Sequence, residues 1–272
     1  MLDLGPENGY SLADTLCGGQ SFRWREAAPG VWRGAAGAYA AELWAAGGHL
    51  WLRPLGPAAP EGWWQRYLAL DLDYPAMQRR FCANRRLADC VAAAPGIRVL
   101  RQPFFEALCA FILSQNNNIG RITGIVARLC ALCGAPLAEG LYAFPTPAAL
   151  AAQTEASLAV LRAGWRAAYL LDAARRVADG RITQELLLSL PQAEARALLM
   201  TVRGVGPKVA DCVLLYGLGR WRACPMDVWM KRAMKTLFPR GMPCAARGRE
   251  GIAQQYIFAY ARKNLPRGDK SC

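Results

Sequence analysis

The chain has 272 residues, of which 54% are hydrophobic and only 19% are charged. A chain of this composition can bury a large core, which excludes an intrinsically disordered protein, and its length suits one large domain or two ordinary ones. Lys and Arg together number 33 against 20 Asp and Glu, so the formal net charge is +13. An excess of this size is typical of proteins that bind nucleic acids, anionic membranes or acidic ligands.

The sequence disfavours both a membrane protein and a secreted one. No stretch of 18 or more residues is apolar enough to span a bilayer, and residues 1–10 lack the basic start and apolar run of a secretory signal. The ten cysteines are scattered, and several lie in apolar helical runs, so we interpret them as reduced thiols. We therefore expect an intracellular protein of the cytoplasm or nucleoid.

Residues 1–95 are predicted to form a β-rich domain. Four short runs rich in aromatic and apolar residues are separated by turns such as Pro29-Gly30 and Gly47-Gly48, which indicates antiparallel strands. The predicted strands cover residues 21–25, 31–33, 39–43 and 49–53. Helices are then expected over residues 63–70 and 76–95.

From about residue 96 the apolar residues recur at helical spacing, so residues 96–272 are predicted to form a helical domain. The expected helices cover residues 104–113, 118–133, 155–162, 167–179, 192–202, 208–218, 228–237 and 248–263. The whole chain is thus predicted to be α+β. Residues 201–272 contain 14 basic and 4 acidic residues, so most of the net charge lies at the end of this domain.

The segment 202–208, Val-Arg-Gly-Val-Gly-Pro-Lys, is predicted to be a hairpin between two helices. Its two glycines allow a tight turn with N–H groups just before a helix N-terminus, an arrangement that holds a phosphate without reading base sequence. The predicted phosphate contacts are Arg203, Gly204, Val205 and Gly206. Lys208 follows them at the positive helix end, which favours the neutral amine that a nucleophile requires. An exposed phosphate-contacting lysine is an equally good interpretation of the turn alone.

Asp227 directly precedes the predicted helix 228–237. An aspartate at this place is well suited to cap the helix N-terminus. A capping carboxylate at the mouth of a cleft can also stabilise a cation that develops during a reaction.

Four segments, in order along the chain, resemble the helix-hairpin-helix DNA glycosylases and, within them, the 8-oxoguanine DNA glycosylase family. They are GQSFRW at 19–24, SQNNNIGRITG at 114–124, GVGPKVADC at 204–212 with PMDV at 225–228, and GIAQQYIF at 251–258. The resemblance runs from about residue 10 to residue 263. It implies an N-terminal antiparallel sheet domain similar to the TATA-binding protein, followed by an all-helical core of two subdomains.

The resemblance implies a bifunctional base-excision repair enzyme that flips 8-oxoguanine out of duplex DNA. Lys208 would attack the sugar C1′, displace the base and form a Schiff base, and β-elimination would then nick the strand. Asp227 would stabilise the oxocarbenium-like charge and help to position Lys208.

The resemblance also implies how the base is recognised. Gly19 would place its carbonyl near N7, where 8-oxoguanine carries a hydrogen that guanine lacks. Gln254 would pair with the Watson–Crick edge, while Cys212 and Phe258 pack against the plane of the base. On the residues alone, a buried core position is the plainer interpretation of Cys212 and Phe258.

Opposite the lesion, the resemblance implies that Asn116, Arg121 and Arg166 read the widowed cytosine, whose O2 and N3 accept hydrogen bonds. Trp165 would fill the gap in the base stack. On sequence alone, an interhelical core position is the better interpretation of Trp165. Arg203 stands where the family often has Pro, and adds a cation beside the hairpin.

No metal site or iron–sulfur cluster is expected. Cys130 and Cys133 form a CxxC with no second pair and no His pair downstream, so we do not interpret them as ligands. The C-terminal region, with Cys244 and Cys272, lacks the four closely spaced cysteines that hold a cluster in the endonuclease III and adenine glycosylase branches. Hairpin carbonyls can hold a monovalent cation, as in relatives.

The expected partner is double-stranded DNA containing 8-oxoguanine opposite cytosine, with no membrane partner. A monomer is expected because one flipped base needs only one subunit. Two alternatives remain open. A monofunctional alkylbase glycosylase on the same fold is disfavoured by Lys208, and a non-catalytic DNA-binding module is disfavoured by Lys208 together with Asp227.

Overall fold

The structure, a computed structural model, describes residues 1–266. Residues 267–272 lie outside the described part, and they include Cys272 and the end of the predicted helical domain. The chain begins with a five-stranded antiparallel sheet and continues with helices. The predicted α+β class is therefore confirmed.

The sheet has the strand order β1-β5-β4-β3-β2. Its strands are β1 (Leu2–Pro6), β2 (Trp24–Ala28), β3 (Val31–Ala36), β4 (Tyr39–Ala46) and β5 (His49–Pro54). Strand β1 was missed because its sequence contains Asp, Gly and Pro; it becomes a strand by pairing with β5. The predicted strand 21–25 is wrong at its start, because Phe22 packs its ring against Phe111 of the helical core instead.

One face of the sheet packs against two short helices, α1 (Leu12–Leu16) and α2 (Trp63–Tyr67). Trp24 and Trp32 point into this core, and the Trp24 indole N–H donates to the hydroxyl of Tyr67 at 2.8 Å. The other face of the sheet carries Arg33, next to Trp32 along β3, and its Nη2 donates to the Glu139 carbonyl from the second half of the chain at 3.0 Å.

The helices of the larger part follow in order. They are α3 (Tyr74–Phe81), α4 (Arg85–Ala93), α5 (Phe104–Leu113), α6 (Ile119–Cys133), α7 (Pro147–Ala151), α8 (Arg166–Ala178), α9 (Gln184–Ser189), α10 (Gln192–Leu199), α11 (Pro207–Cys212), α12 (Val228–Leu237) and α13 (Glu250–Asn264). A π-helical turn, Val213–Gly217, continues α11. A two-stranded hairpin, β6 (Pro136–Ala138) and β7 (Leu141–Tyr142), separates α6 from α7.

The structure corrects two helix predictions and adds short elements that were not predicted. The helix expected over 76–95 is two helices, because the Asn84 side chain accepts from the Leu87 N–H and starts a new one. The segment expected as a helix over 155–162 is a single 3₁₀ turn, Ser157–Leu161. The short elements α1, α7, α9, β6 and β7 were missed, because elements this short carry too little periodicity to be recognised.

Helices α3 and α4 precede residue 96, yet they share the core of the helices that follow it. Phe81 of α3 packs its ring against Tyr256 of α13, and α4 makes extensive contacts with α13. The division of the chain at residues 95 and 96 stays a prediction. None of the helices within residues 1–266 has the length and apolar character that crossing a bilayer requires.

Candidate active site

The hairpin between α10 and α11 is a tight turn that packs against α8. The Val205 N–H donates to the Val202 carbonyl at 3.0 Å, and Gly204 adopts φ +78°. A Cβ on Gly204 would overlap the ring of Tyr169, so both the backbone angle and the close approach require glycine here. The hairpin is therefore held in one conformation by its neighbour helix.

The predicted phosphate contacts differ in the hydrogen-bond donors that they leave free for a ligand. The N–H groups of Gly204 and Gly206 have no acceptor within residues 1–266, and Gly206 immediately precedes α11. The side chain of Arg203 is exposed, with its guanidinium 5.5 Å from the centre of the Tyr169 ring. Val205 differs, because its N–H is used within the turn and its side chain is buried. Free donors at a helix N-terminus suit an anion.

Lys208 stands on the first turn of α11 and points towards the end of α5. Its Nζ donates to the Ser114 Oγ at 3.0 Å and lies 5.4 Å from the centre of the Phe111 ring. The Ser114 hydroxyl in turn donates to the Phe111 carbonyl at 2.8 Å. Ser114 and Phe111 were missed as site residues, although Ser114 opens the motif 114–124. Their contact with Lys208 arises only when α5 packs against α11.

Asp227 caps α12, as its position in the sequence predicts. Its Oδ1 accepts from the Met230 N–H at 2.8 Å, while Oδ2 has no hydrogen-bond donor within residues 1–266. The cap orients the carboxylate and leaves one oxygen free. Asp227 lines the same pocket as Lys208.

The two groups meet in a small pocket of about 50 Å³. Its walls come from the loop after α1, from α5, from α11 with its π-helical turn, from the start of α12 and from α13. The lining residues are Gly18, Gly19, Phe111, Lys208, Cys212, Tyr216, Pro225, Asp227, Gln254, Gln255 and Phe258. All six residues predicted for catalysis and base recognition are thus brought to one place.

Gln254 carries an unsatisfied polar atom into this pocket. The side chain is only 3% exposed, and its Oε1 has no hydrogen-bond partner within residues 1–266. The adjacent Gln255 differs, since its Oε1 accepts from the Tyr216 hydroxyl at 2.8 Å. A buried acceptor without a donor costs about 1–3 kcal/mol. It is therefore explained best by a ligand that donates to it.

The other walls of the pocket are neutral. Burial raises the pKa of the Cys212 thiol to about 12, with Lys208 acting in the opposite direction, so the group is a thiol at neutral pH. Cys212 is both buried and at the pocket wall, whereas Phe258 is half-buried and therefore not simply a core residue. The guanidinium of Arg262 lies 5.6 Å from the centre of the Phe258 ring.

Gly19 is held in place by Gln20, which follows it. Gly19 adopts φ +91°, an angle that favours glycine. The fully buried Gln20 donates to the carbonyls of Thr15 (2.9 Å) and Arg98 (2.7 Å), and accepts from the Leu100 N–H (2.8 Å). The polar residue of this motif therefore fixes the loop, and the glycine faces the pocket.

The residues predicted to read the opposite base lie between α5, α6 and α8. Asn116 is exposed and adopts φ +45°, which asparagine tolerates better than most residues. Arg121 is also exposed on the first turn of α6. Trp165 is 49% exposed and packs edge-to-face on Tyr169, with ring centres 5.1 Å apart. The interhelical core position considered for Trp165 is therefore wrong.

Arg166 is a further predicted site residue whose surroundings differ from the expectation. It is only 3% exposed, and its guanidinium donates to the carbonyls of Gln115 (2.9 Å from Nε), Asn116 (3.0 Å) and Ala163 (3.2 Å). Burial and the neighbouring Arg121 hold the pKa of Arg166 below its usual value. Arg166 thus secures the loop that carries Asn116; its contact with a cytosine stays a prediction.

Two protein families match consecutive parts of the chain. Residues 3–108 match the family "8-oxoguanine DNA glycosylase, N-terminal domain", and residues 109–243 match "HhH-GPD superfamily base excision DNA repair protein". A probable N-glycosylase/DNA lyase of Methanothermobacter thermautotrophicus is 30% identical over 217 residues, which cover 68% of this chain and 69% of that protein.

The chain belongs to the 8-oxoguanine DNA glycosylase family. The N-glycosylase/DNA lyase of Saccharomyces cerevisiae is 39% identical over 155 residues, which span 52% of this chain but only 41% of the yeast protein. A crystal structure of the Clostridium acetobutylicum 8-oxoguanine glycosylase/lyase with DNA containing cytosine opposite 8-oxoguanine has a TM-score of 0.85 and 31% identity. It covers 94% of this chain and 93% of that one.

Within residues 1–266 of this 8-oxoguanine DNA glycosylase family member, no three His, Cys, Asp or Glu side chains are grouped so that they can hold a metal ion. Cys130 is buried in α6 and Cys133 is half-buried at its end. Burial raises the pKa of the Cys130 thiol to about 12, so it is a thiol at neutral pH.

Proposed function

We propose that the protein flips 8-oxoguanine out of duplex DNA, cleaves its N-glycosidic bond and nicks the strand by β-elimination. The observation that carries the proposal is the unpartnered Gln254 Oε1, buried in the pocket that holds Lys208 and Asp227. The Watson–Crick edge of 8-oxoguanine presents N1–H and N2–H donors, which can satisfy this oxygen. The family membership and the relatives named as N-glycosylase/DNA lyases support the same reaction.

Lys208 is proposed as the nucleophile. Its neutral Nζ forms a bond to C1′ while the C1′–N9 bond breaks, and the base leaves with the bonding electron pair and takes up a proton. The hydrogen bond to Ser114 orients Nζ before the attack. The free Oδ2 of Asp227 stabilises the positive charge that develops on the sugar. The nitrogen lone pair then forms the C1′=N bond of the Schiff base as the C1′–O4′ bond breaks and O4′ takes up a proton. Loss of a C2′ proton expels the 3′ phosphate, which leaves with the electron pair of the C3′–O bond.

The loop of Gly19 is proposed to separate 8-oxoguanine from guanine. Its carbonyl accepts a hydrogen bond from the N7–H of the lesion, whereas the N7 of guanine faces it with a lone pair. Cys212 and Phe258 contact the plane of the base. Gln20 keeps the carbonyl at a fixed place through its buried hydrogen bonds.

The opposite strand is proposed to be read as cytosine. Asn116 and Arg121 are exposed beside Trp165, whose half-exposed indole can fill the gap left in the base stack. The hairpin amides of Gly204 and Gly206 would bind a backbone phosphate. Cleavage of lesions opposite adenine at the same rate as lesions opposite cytosine would contradict this assignment.

The reaction is proposed to need no redox cofactor, since attack by an amine and β-elimination involve no net electron transfer. A monovalent cation is proposed at the hairpin, supported by the Val205 carbonyl, which accepts no hydrogen bond within residues 1–266. Such an ion would hold the turn in shape and take no part in bond making. The protein is further proposed to act as a monomer inside the cell, in the cytoplasm or at the nucleoid.

Borohydride trapping tests the proposed reaction. The protein is incubated with a duplex containing 8-oxoguanine opposite cytosine, and borohydride reduces the Schiff base to a covalent adduct. We expect an adduct with the wild type and none with Lys208→Gln. The exposed Lys231 on α12 provides a matched control, and Lys231→Gln is expected to form the adduct. A wild type without adduct contradicts the lyase reaction.

A further inference from the structure

A second pocket, of about 430 Å³, lies between β2, β3, α6 and the β6–β7 hairpin. It shares no lining residue with the base pocket. Part of its lining is apolar and aromatic, with Phe22, Leu141 and Tyr142. Trp24 also borders the pocket, but its indole packs into the core beside α1 and α2. The rest includes several arginines, so the pocket combines an apolar floor with a cationic rim.

Two of these arginines are placed unfavourably. Arg25 of β2 lies directly opposite Arg33 of β3 in the sheet register. Side chains at opposed positions are close neighbours, and like charges there are destabilising. Within residues 1–266 no carboxylate forms an ion pair with Arg25, and Glu42 lies 4.0 Å from Arg33 while it is also bound by Arg53. The positive charges of Arg25 and Arg33 are therefore not compensated.

Arg33 also carries an unsatisfied buried donor. Its Nε is buried without a hydrogen-bond partner in the part of the chain that the structure describes. Its Nη2 donates to the Glu139 carbonyl at 3.0 Å, which fixes the side chain at the pocket wall. A buried charged donor without an acceptor is costly, and the charge of an anion beside Arg33 in the pocket would offset part of that cost.

The opposite wall adds a further cation. Arg128 of α6 donates from Nε (3.1 Å) and Nη2 (2.8 Å) to the Leu161 carbonyl, which satisfies hydrogen bonds but does not neutralise its charge. Arg23 does not contribute, because it is paired with Glu106 at 2.8 Å. The field in the pocket is thus set by Arg25, Arg33 and Arg128, all of one sign.

We propose that this pocket binds a small organic anion. The apolar, planar body of the ligand rests on the aromatic floor, and its carboxylate, sulfonate or phosphate group faces Arg25 and Arg33. The arginine charges attract the anionic group of the ligand. The apolar floor of the pocket disfavours inorganic ions, because they have no apolar surface to bury there. The site is separate from the base pocket and is independent of the glycosylase reaction.

Binding of 8-anilinonaphthalene-1-sulfonate, an aromatic sulfonate, tests the proposal on the full chain. We expect one dye molecule per chain, with affinity at least about tenfold weaker in Arg25→Met and in Arg33→Met, since each removes a charged hydrogen-bond donor. Arg85→Met is the control, because Arg85 is an exposed arginine on α4 that does not line the pocket. Its affinity should be unchanged.

A variant that fills the pocket tests the proposal without changing an arginine. Ala127 is exposed on α6 at the pocket wall, so Ala127→Trp should close the site without disturbing the core, and dye binding should disappear while lesion nicking persists. Equal dye affinity in all variants would overturn the proposal. So would loss of binding in Gln254→Ala, which would place the dye in the base pocket. Inorganic sulfate binding as tightly as the dye would show a bare anion site and would also overturn it.

Discussion

The backbone N–H of Arg203 donates to the Oδ2 of Asp172 at 2.8 Å. The same oxygen accepts from the Arg176 Nε at 2.8 Å. The Asp172 carboxylate thus links the backbone of the hairpin to the Arg176 side chain on α8. The face of α8 that carries Asp172 also carries Tyr169, which contacts Gly204 and the Trp165 indole. The proposed wedge and the hairpin that precedes Lys208 are therefore seated on the same helix.

Asp172→Ala is expected to loosen the hairpin. The Arg203 N–H loses its acceptor, and a charge-assisted hydrogen bond is worth about 1.5–3 kcal/mol, so DNA binding should weaken roughly tenfold to a hundredfold. Duplex binding and single-turnover nicking measure the effect. Asp172→Asn retains an acceptor oxygen and should restore part of the affinity. Equal losses in both variants would show that the charge, and not the hydrogen bond, is what matters.

Gly204→Ala is expected to destabilise the protein more than an ordinary glycine substitution. The new Cβ meets the Tyr169 ring and the backbone is at φ +78°, so both overlap and strain oppose folding. Gly241 is the matched control, because it has φ +93° but no atom lies within 4 Å of the position that a Cβ would take. Thermal unfolding should show the larger loss for Gly204→Ala; similar losses would mean that the Tyr169 contact is unimportant.

Ser114→Ala is expected to slow base excision while leaving DNA binding close to that of the wild type. The Lys208 Nζ loses its 3.0 Å hydrogen bond, worth about 0.5–1.5 kcal/mol, so the single-turnover rate should fall about two- to tenfold. Ser114→Thr keeps the hydroxyl and should recover the rate. A rate that Thr does not recover would assign the loss to packing at the end of α5.

Gln254→Ala and Phe258→Ala are expected to weaken binding of a lesion duplex more than binding of a duplex with an abasic analogue. The lesion duplex presents a base to the pocket, whereas the abasic duplex has none. Competition binding with the two duplexes measures the difference. Equal losses on both duplexes would place Gln254 and Phe258 outside the base pocket.

Buried thiols predict a loss of stability at alkaline pH. Burial raises the pKa of Cys90 from 9.0 to about 12, so the folded chain holds that proton more tightly than the unfolded chain does. The stabilisation is complete below pH 9 and is lost as the pH rises towards 12. Cys90→Ala should show a shallower fall in Tm over this range than the wild type. Cys244→Ala, at an exposed thiol, should behave as the wild type does.

The sequence by itself determined the fold class, most of the longer helices and, through its family resemblance, six of the residues that line the base pocket. Helical periodicity is local, and the cap of α12 by Asp227 depends on residues three apart, so both can be recognised without tertiary structure. The motif at 204–212 likewise has its glycines and its lysine within a few residues.

Only the tertiary structure decided which neighbours those residues have. Strand β1 exists through its pairing with a distant strand, and Ser114 reaches Lys208 only because α5 packs on α11. Packing also turned Arg166 inwards onto the loop of Asn116 and left Trp165 half-exposed. Contacts between residues far apart in sequence are set by the packing of whole elements, which local spacing does not encode.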